Sequence, residues 1–323
     1  MNVLEFLLSA LAIGVTFLYG STGEIITEKA GHLNLGIPGI MGIGAACGCA
    51  VLNAMMPLNA DAAPFLPPWL IVVLALLATL AGGAIMGLLY SFLAVTLRSN
   101  QNVTGLAMTI FGTGLTKFIF ASLEKDGVTY VRAKYYFRFP FNNTTSALQY
   151  CGVMVFLGIA IAIISSVILT RTKVGLHLRA VGESPATADA AGINVTRYKY
   201  IATIIGSAIA GLGGLFYIMD YAGSNEAYLT IEALGWLSVA LVIFSLWRPY
   251  LSIIGSFIFG TLFIVGAYLP TLFGLKIDVA TSNLVKTLPY VVTIIVLVIT
   301  SIRNRRENQP PASLGVSYFR EDR

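Results

Sequence analysis

The chain has 323 residues, of which 57% are hydrophobic and only 11% are charged, with a formal net charge of +5. A mean hydropathy of +0.82 excludes a soluble domain, because such a domain must present a charged surface, and it indicates an integral membrane protein. The basic surplus does not indicate nucleic-acid binding, since these residues lie at the ends of apolar segments, where they set topology or meet anionic lipid.

The apolar segments predict an all-α, polytopic transmembrane helical bundle. A helix needs about 20 apolar residues to cross the hydrocarbon core of a bilayer. The predicted spans are 4–20, 35–56, 69–97, 101–122, 148–170, 199–219, 231–247, 250–269 and 285–302. This makes about nine spans, with eight or ten as alternatives, in a transmembrane domain over residues 1–302 followed by a polar cytoplasmic tail over 303–323.

The stretch 21–34 is not apolar enough to cross a membrane unaided. The run Gly36-Ile37-Pro38-Gly39 predicts that the following helix is interrupted, so we expect a broken or re-entrant segment. The run of glycines up to Gly44 permits either local unwinding or close helix contact. In the first case Asn34 lines a translocation path. In the second, a tight turn leads into a small-residue helix interface.

The span that begins at residue 101 carries polar residues at three- and four-residue steps, which gathers them on one side of a helix. They are Asn102, Gly105, Thr109, Thr113, Thr116 and Lys117. A polar stripe in a bilayer should face protein or water, so we interpret Asn102, Thr109 and Thr113 as lining a path for a polar solute. The alternative is that the hydroxyls bond back to their own helix and this side merely packs.

A polar loop at about 171–198 contains the most informative segment. Ser184 is suited to cap a short helix, Pro185 to fill its first position, and Gly192 to end it in a left-handed conformation. A helix of about two turns is marginal by itself in water. The small residues in its middle permit another surface to approach closely. The pattern therefore predicts a short docking helix for a partner protein.

Basic residues concentrate around this loop and at the start of the tail, so both are predicted to be cytoplasmic. They are Arg171, Lys173, Arg179, Arg197, Lys199, Arg303, Arg305 and Arg306. Four predicted spans separate the two clusters. An even number of crossings places both clusters on the same side of the membrane, which agrees with the prediction. Counting back places residues 24–32 inside and the N-terminus outside. The 123–147 loop is also placed outside, although it is itself basic.

The sequence contains no motif typical of a nucleotide, catalytic or metal site. It has no Gly-Lys dipeptide and therefore no P-loop for ATP. The two histidines are isolated, and Cys47, Cys49 and Cys151 lie in apolar stretches, as expected for packing. We predict no catalytic residue, no metal site and no cofactor site in this chain.

Several runs carry a family resemblance. They are EKAGHLNLGIPGIM at 28–41, QNVTGLA at 101–107 with GLT at 114–116, RAVGESPATADAAGINV at 179–195, and QPPASLGVSYFRE at 309–321. Together they resemble the membrane permease subunits of bacterial ABC importers. The resemblance is to the nucleoside and simple-sugar group of the superfamily that also serves ribose and branched-chain amino acids, and it covers nearly the whole chain.

The resemblance implies that the segment after Ser184 is the coupling helix, which sits in a groove of the ATPase. The residues in the contact role would be Glu183, Ser184, Ala188, Ala191 and Gly192. Where the family has a Glu-Gly pair after the Asn-Leu-Gly and an aliphatic residue, this chain has Pro38 and Gly39. That departure removes a carboxylate and weakens the assignment to nucleosides in particular.

The resemblance also implies a function. The chain would form the path by which an ATP-driven importer moves a small polar solute, a nucleoside or a simple sugar, through the bacterial inner membrane. Its partners would be an ABC ATPase subunit that holds ATP and Mg²⁺, a second permease subunit of like or unlike sequence, an extracytoplasmic solute-binding protein and membrane lipid. The alternative is an independent secondary transporter or channel without an ATPase, which would need ion-coupling carboxylates that are scarce in the predicted spans.

Overall fold

The computed structural model describes residues 3–58, 64, 66–125, 127–138, 151–273, 281, 284–285, 287–303 and 309–319. Regular structure among them is helical and includes no strand, which confirms the all-α prediction. The helices are α1 (Val3–Lys29), α2 (Ile37–Met55), α3 (Pro68–Ser91), α4 (Gln101–Lys125), α5 (Lys134–Phe137), α6 (Val153–Arg171), α7 (Lys173–Glu183), α8 (Pro185–Ala190), α9 (Val195–Phe216), α10 (Ile231–Phe244), α11 (Pro249–Phe273) and α12 (Leu288–Arg303).

Seven helices in the described part of the chain are long and apolar enough to cross a membrane, so the protein is a multi-pass membrane protein. They are α1, α2, α3, α4, α6, α9 and α10; α3 and α9 are continued by a wider turn to Thr96 and Ala222, and α10 is preceded by a tighter turn that begins at Asn225. The predicted spans 250–269 and 285–302 coincide with α11 and α12. Their apolar parts, Pro249–Val265 and Leu288–Ile299, are shorter. The count of nine spans therefore stays a prediction.

The long helices run alternately up and down between two ends. At one end, which we call the α8 end, the α1–α2 turn, the α3–α4 link, α7, α8 and residues 309–319 meet. Gly31, for example, accepts a hydrogen bond from the backbone N–H of Gly315 at 3.3 Å. At the opposite end the amide oxygen of Asn53 accepts from the backbone N–H of Thr129 at 2.9 Å. Since α1 reaches the α8 end at its last residue, α1 begins at the opposite end.

The core is centred on α1, α2 and α9, whose small residues let the backbones approach closely. A Cβ added at Gly44 of α2 would stand 2.5 Å from the Cα of Gly211 in α9. One added at Gly213 would stand 2.9 Å from the carbonyl oxygen of Thr16 in α1. Either side chain would force the helices apart, so glycine at these positions sets the spacing of the core.

The stretch 21–34 differs from the prediction. Helix α1 continues through residue 29, and Pro38 lies in the first turn of α2, where a missing N–H costs no helical hydrogen bond. Residues 30–36 form a turn between two complete helices, so the expected interruption is wrong. Polar side chains are tolerated at the end of α1 because they face protein. Glu24 is 0% exposed and Glu28 is 3% exposed.

Candidate functional site

The α8 end carries the short helix that the sequence predicts. The Ser184 hydroxyl accepts a hydrogen bond from the backbone N–H of Thr187 at 3.4 Å, and a proline fills the first position. Gly192 follows the helix with φ at +81°. The backbone N–H of Ile193 donates to the carbonyl oxygen of Ala188 at 3.0 Å, which completes a left-handed C-terminal cap.

Helix α8 has a buried side and an exposed side. Ala188 is only 3% exposed and lies in a small apolar cluster with Val181 of α7 and Val195 of α9. The exposed residues of this region are Glu183, Ala186, Thr187, Ala190, Ala191 and Gly192, with Ser184 partly exposed. Of the five residues assigned to the ATPase contact, Ala188 therefore lies on the inner side and seats the helix on the rest of the chain.

A second helix, α7, precedes α8 and was not predicted. The Thr172 hydroxyl caps it by accepting from the backbone N–H of Gly175 at 3.1 Å. Leu178 and Val181 are buried, three residues apart. A Cβ added at Gly182 would stand 3.3 Å from the backbone nitrogen of Gly31. Helices α7 and α8 thus form a hairpin that lies directly against the α1–α2 turn.

The α1–α2 turn is held by buried polar side chains. One carboxylate oxygen of Glu24 accepts from the backbone N–H of Asn34 at 3.0 Å, and the side-chain oxygen of Asn34 accepts from the backbone N–H of Gly36 at 3.0 Å. Glu28 accepts from the indole N–H of Trp247, in the α10–α11 turn. Asn34 is 0% exposed, so in this conformation it shapes the turn and does not reach an open path.

His32 ties the same turn to α9. It is buried, and its Nδ1 shares a hydrogen bond with the hydroxyl of Thr203 at 3.0 Å. Burial lowers the pKa of the imidazole well below its usual range, and the positive charge of Lys199 lowers that pKa further. The ring is therefore neutral at physiological pH. No motif in the sequence indicates this contact.

The predicted polar stripe of α4 is divided between buried and exposed positions. Thr109 is 4% exposed and its hydroxyl donates to the carbonyl oxygen of Leu35 at 2.7 Å. Thr113 is partly exposed and donates to the carbonyl oxygen of Ile110 at 3.2 Å. Asn102 is exposed in the first turn of α4. The structure thus brings Asn34 and Thr109 together around Leu35, while Asn102 and Thr113 stand apart at the surface.

Glycines make the crossing of α2 and α4 tight. A Cβ added at Gly112 would stand 2.5 Å from the Cα of Gly39, and one at Gly42 would stand 2.5 Å from the hydroxyl of Thr116. The Thr116 hydroxyl itself donates back to the carbonyl oxygen of Gly112 at 2.7 Å. In this part of the chain the glycine run forms a small-residue helix interface, which is one of the two alternatives that its sequence allows.

A narrow cleft opens beside this crossing, toward the opposite end. It is lined by Pro38, Gly42, Thr113, Thr116, Lys117, Tyr228, Leu229, Ile231 and Glu232. Its volume is only about 10 Å³, so it is closed to a solute in this conformation. The ring of Tyr228 stacks on Phe120 with centroids 4.6 Å apart, which adds an aromatic wall. Within the described residues, no three or more His, Cys, Asp and Glu side chains gather as metal ligands would.

Comparisons with known proteins agree on a family. A family model described as branched-chain amino acid transport system / permease component matches residues 4–300. The chain is similar to the nucleoside ABC transporter permease protein NupC of Lactococcus lactis subsp. cremoris, at 30% identity over 92% of each chain. The guanosine ABC transporter permease protein NupQ of Bacillus subtilis is 29% identical over 100% of both chains. TsgC13, which is assigned as a glucose ABC transporter permease protein in Haloferax volcanii, is 29% identical over 99% of both. Since the family model spans nearly all of the sequence, the chain belongs to the family of branched-chain amino acid transport system permease components, which are transport subunits of ABC systems and not enzymes.

Proposed function

We propose that this permease imports a small polar solute and receives the energy of ATP hydrolysis through α8. The observation that carries the proposal is the form of α8, a capped helix of six residues with small side chains on its exposed side. A helix this short is not stable alone. Exposed alanine and glycine let the groove of a partner approach the backbone. Glu183, Ser184, Ala191 and Gly192 make the ATPase contact, and Ala188 anchors the helix from beneath.

The remaining parts of the importer follow from this contact. ATP and Mg²⁺ are held by the ATPase subunit, because this sequence has no P-loop. The α8 end faces the cytoplasm of a bacterial cell and the protein lies in the inner membrane, as the basic residues of the 171–198 loop favour. A solute-binding protein delivers the solute at the opposite end. A second permease subunit, like or unlike, completes the path.

We place the solute path along the exposed side of α4, next to the narrow cleft. Asn102 and Thr113 reach the surface there and can contact the solute directly. Asn34 and Thr109 act from behind this wall, because both are buried and hold the start of α2 against α4 through Leu35.

A nucleoside is the favoured solute and a simple sugar is the second candidate. Both carry hydroxyl groups that Thr113, Lys117 and Glu232 can hydrogen-bond once helix movement widens the cleft. A nucleoside also carries a flat base, and Tyr228 presents an aromatic ring that a base can stack on. The nucleoside permease NupC and the guanosine permease NupQ support a nucleoside, and TsgC13, assigned as a glucose permease, supports a sugar.

The test is uptake by the reconstituted complex. Proteoliposomes with the permease, its ATPase and its binding protein are expected to take up radiolabelled guanosine, with glucose as the comparison, only when the ATPase is supplied with ATP. Ala190→Arg, on the exposed side of α8, should abolish uptake and ATPase co-purification. Leu58→Arg, at an exposed residue of the opposite end, is the matched control and should keep ATPase co-purification. Uptake by the permease alone would identify an independent transporter or channel.

A further inference from the structure

Residues 309–319, which we call the tail segment, are bound against the α8 end. The backbone N–H of Ser313 donates to the carbonyl oxygen of Gly182 at 3.0 Å, and its hydroxyl donates to the same oxygen. The backbone N–H of Gly315 donates to the carbonyl oxygen of Gly31 at 3.3 Å. The first half of the tail segment therefore joins the last turn of α7 to the α1–α2 turn.

The second half of the tail segment reaches α8 and the start of α4. The hydroxyl of Tyr318 donates to a carboxylate oxygen of Asp189, in α8, at 2.9 Å. Its ring packs against the small cluster that contains Ala188. The side-chain amide of Gln101 donates to the carbonyl oxygen of Val316 at 3.4 Å. The tail segment thus contacts α7, α8, the α1–α2 turn and the start of α4.

Gln101 extends these contacts toward the proposed solute path. It is 2% exposed, and its side-chain oxygen accepts from the backbone N–H of Leu33 at 2.8 Å while its amide nitrogen holds the tail segment. Two residues further on, the carbonyl oxygen of Leu35 accepts from Thr109. A connected series of hydrogen bonds therefore runs from α8 through the tail segment to the α1–α2 turn and α4.

We propose that the tail segment is a coupling strap, which positions α8 and transmits its displacement to the α1–α2 turn and to α4. The inference rests on the proposed role of α8 as the ATPase contact. Helix α8 has a single buried residue, Ala188, so its own packing fixes it weakly, and the bonds to Asp189 and Gly182 supply the missing constraint. When the ATPase moves α8, the strap must either move the turn or lose these bonds. Tyr318 and Gln101 act as positioning residues.

The first test is Tyr318→Phe, which removes the hydroxyl and keeps the ring. In the reconstituted complex we expect ATPase co-purification and basal ATP hydrolysis to stay at wild-type levels, while solute-stimulated hydrolysis and uptake fall about fivefold or more, the range of a typical coupling free energy. Tyr250→Phe is the matched control. It also removes a tyrosine hydroxyl, which accepts a hydrogen bond from the Arg248 guanidinium at 3.1 Å. This pair is not part of the strap, so the control should behave as wild type.

The second test is a double-mutant cycle between Tyr318→Phe and Asp189→Ala, scored by solute-stimulated hydrolysis. The strap predicts that the double variant loses no more than the worse single variant, because both remove one contact. Additive losses, or loss of ATPase co-purification in Tyr318→Phe, would overturn it. So would wild-type coupling in both Tyr318→Phe and Gln101→Leu. If Ala190→Arg abolishes solute-stimulated hydrolysis in the same assay while the strap variants do not, only the strap proposal is refuted. If Ala190→Arg also has no effect, the proposed role of α8 as the ATPase contact is refuted.

Discussion

The carboxylate of Glu24 accepts a hydrogen bond from the backbone N–H of Asn34 at 3.0 Å, across the turn that joins α1 to α2. Both residues are 0% exposed, so bulk water cannot replace this bond. Because α2 begins directly after the turn and packs against α4, the bond fixes the direction in which α2 enters the core. A buried acidic side chain thus has a structural role here that its charge alone does not suggest.

The bond predicts different outcomes for two substitutions of Glu24. Glu24→Gln keeps an acceptor oxygen at the same reach and should stay close to the wild-type unfolding temperature in detergent. Glu24→Leu leaves the N–H of Asn34 buried without a partner, which costs about 1–3 kcal/mol, and should lower that temperature. Glu226→Leu, at an exposed residue of the opposite end, controls for the same change of residue away from the turn. Equal destabilisation by Gln and Leu would exclude this bond as the cause.

A second prediction concerns the pH dependence of stability. Burial and Lys199 hold the pKa of His32 below its ordinary value, so the unfolded chain binds the extra proton below about pH 6.5 and the folded chain does not. Stability is therefore complete above that pH and falls as the pH drops below it. Unfolding midpoints measured from pH 7.5 to 5 should show a smaller decrease in His32→Gln than in wild type. His177→Gln is the control, and a wild-type slope in His32→Gln would refute the assignment.

The two threonines of α4 should respond differently to valine. Thr113→Val removes a hydroxyl from the wall of the cleft and should lower solute uptake while assembly and basal hydrolysis stay intact, because the side-chain volume is nearly kept. Thr109→Val removes the donor to Leu35 inside the protein, which should lower the unfolding temperature by the cost of a lost buried hydrogen bond. Unchanged uptake in Thr113→Val would assign the whole stripe to packing.

Local features of the chain could be predicted from the sequence. Ser184 and Gly192 act on the backbone within a few residues of themselves, so the ends of α8 follow from residue type alone. The long helices could be located because hydropathy adds along a segment. Fold class and the position of α8 therefore needed no tertiary information.

The end of α1 could not be predicted in this way. A glutamate such as Glu28 predicts a solvent-exposed position when only the sequence is known. Glu28 is nevertheless buried, because it accepts a hydrogen bond from Trp247, which lies 219 residues further along the chain. The orientation of Ala188 depends likewise on α7. The sequence features that could have predicted α7 are the Thr172 cap and the apolar pair Leu178 and Val181. Which side of a short helix is exposed is decided by its neighbours in space, and these are not adjacent in sequence.

The topology can be tested by thiol labelling in a variant without its native cysteines, Cys47, Cys49 and Cys151. Leu58→Cys, at the end opposite α8, should react with a membrane-impermeant reagent in intact cells. Thr187→Cys, exposed on α8, should react only after the cells are made permeable if the α8 end faces the cytoplasm as proposed. Labelling of Thr187→Cys in intact cells would reverse the proposed orientation.

Arginine substitutions at two alanines of α8 distinguish the contact with the ATPase from the packing of α8 against the rest of the chain. Ala190 is exposed and Ala188 is buried against Val181 and Val195. Ala190→Arg should leave the unfolding temperature of the permease unchanged but block the groove of the ATPase, so co-purification and uptake are lost together. Ala188→Arg forces a charge into an apolar cluster, at a cost of several kcal/mol unless α8 lifts away, and should lower the unfolding temperature as well. Wild-type co-purification and uptake in Ala190→Arg would show that α8 is not the contact with the ATPase.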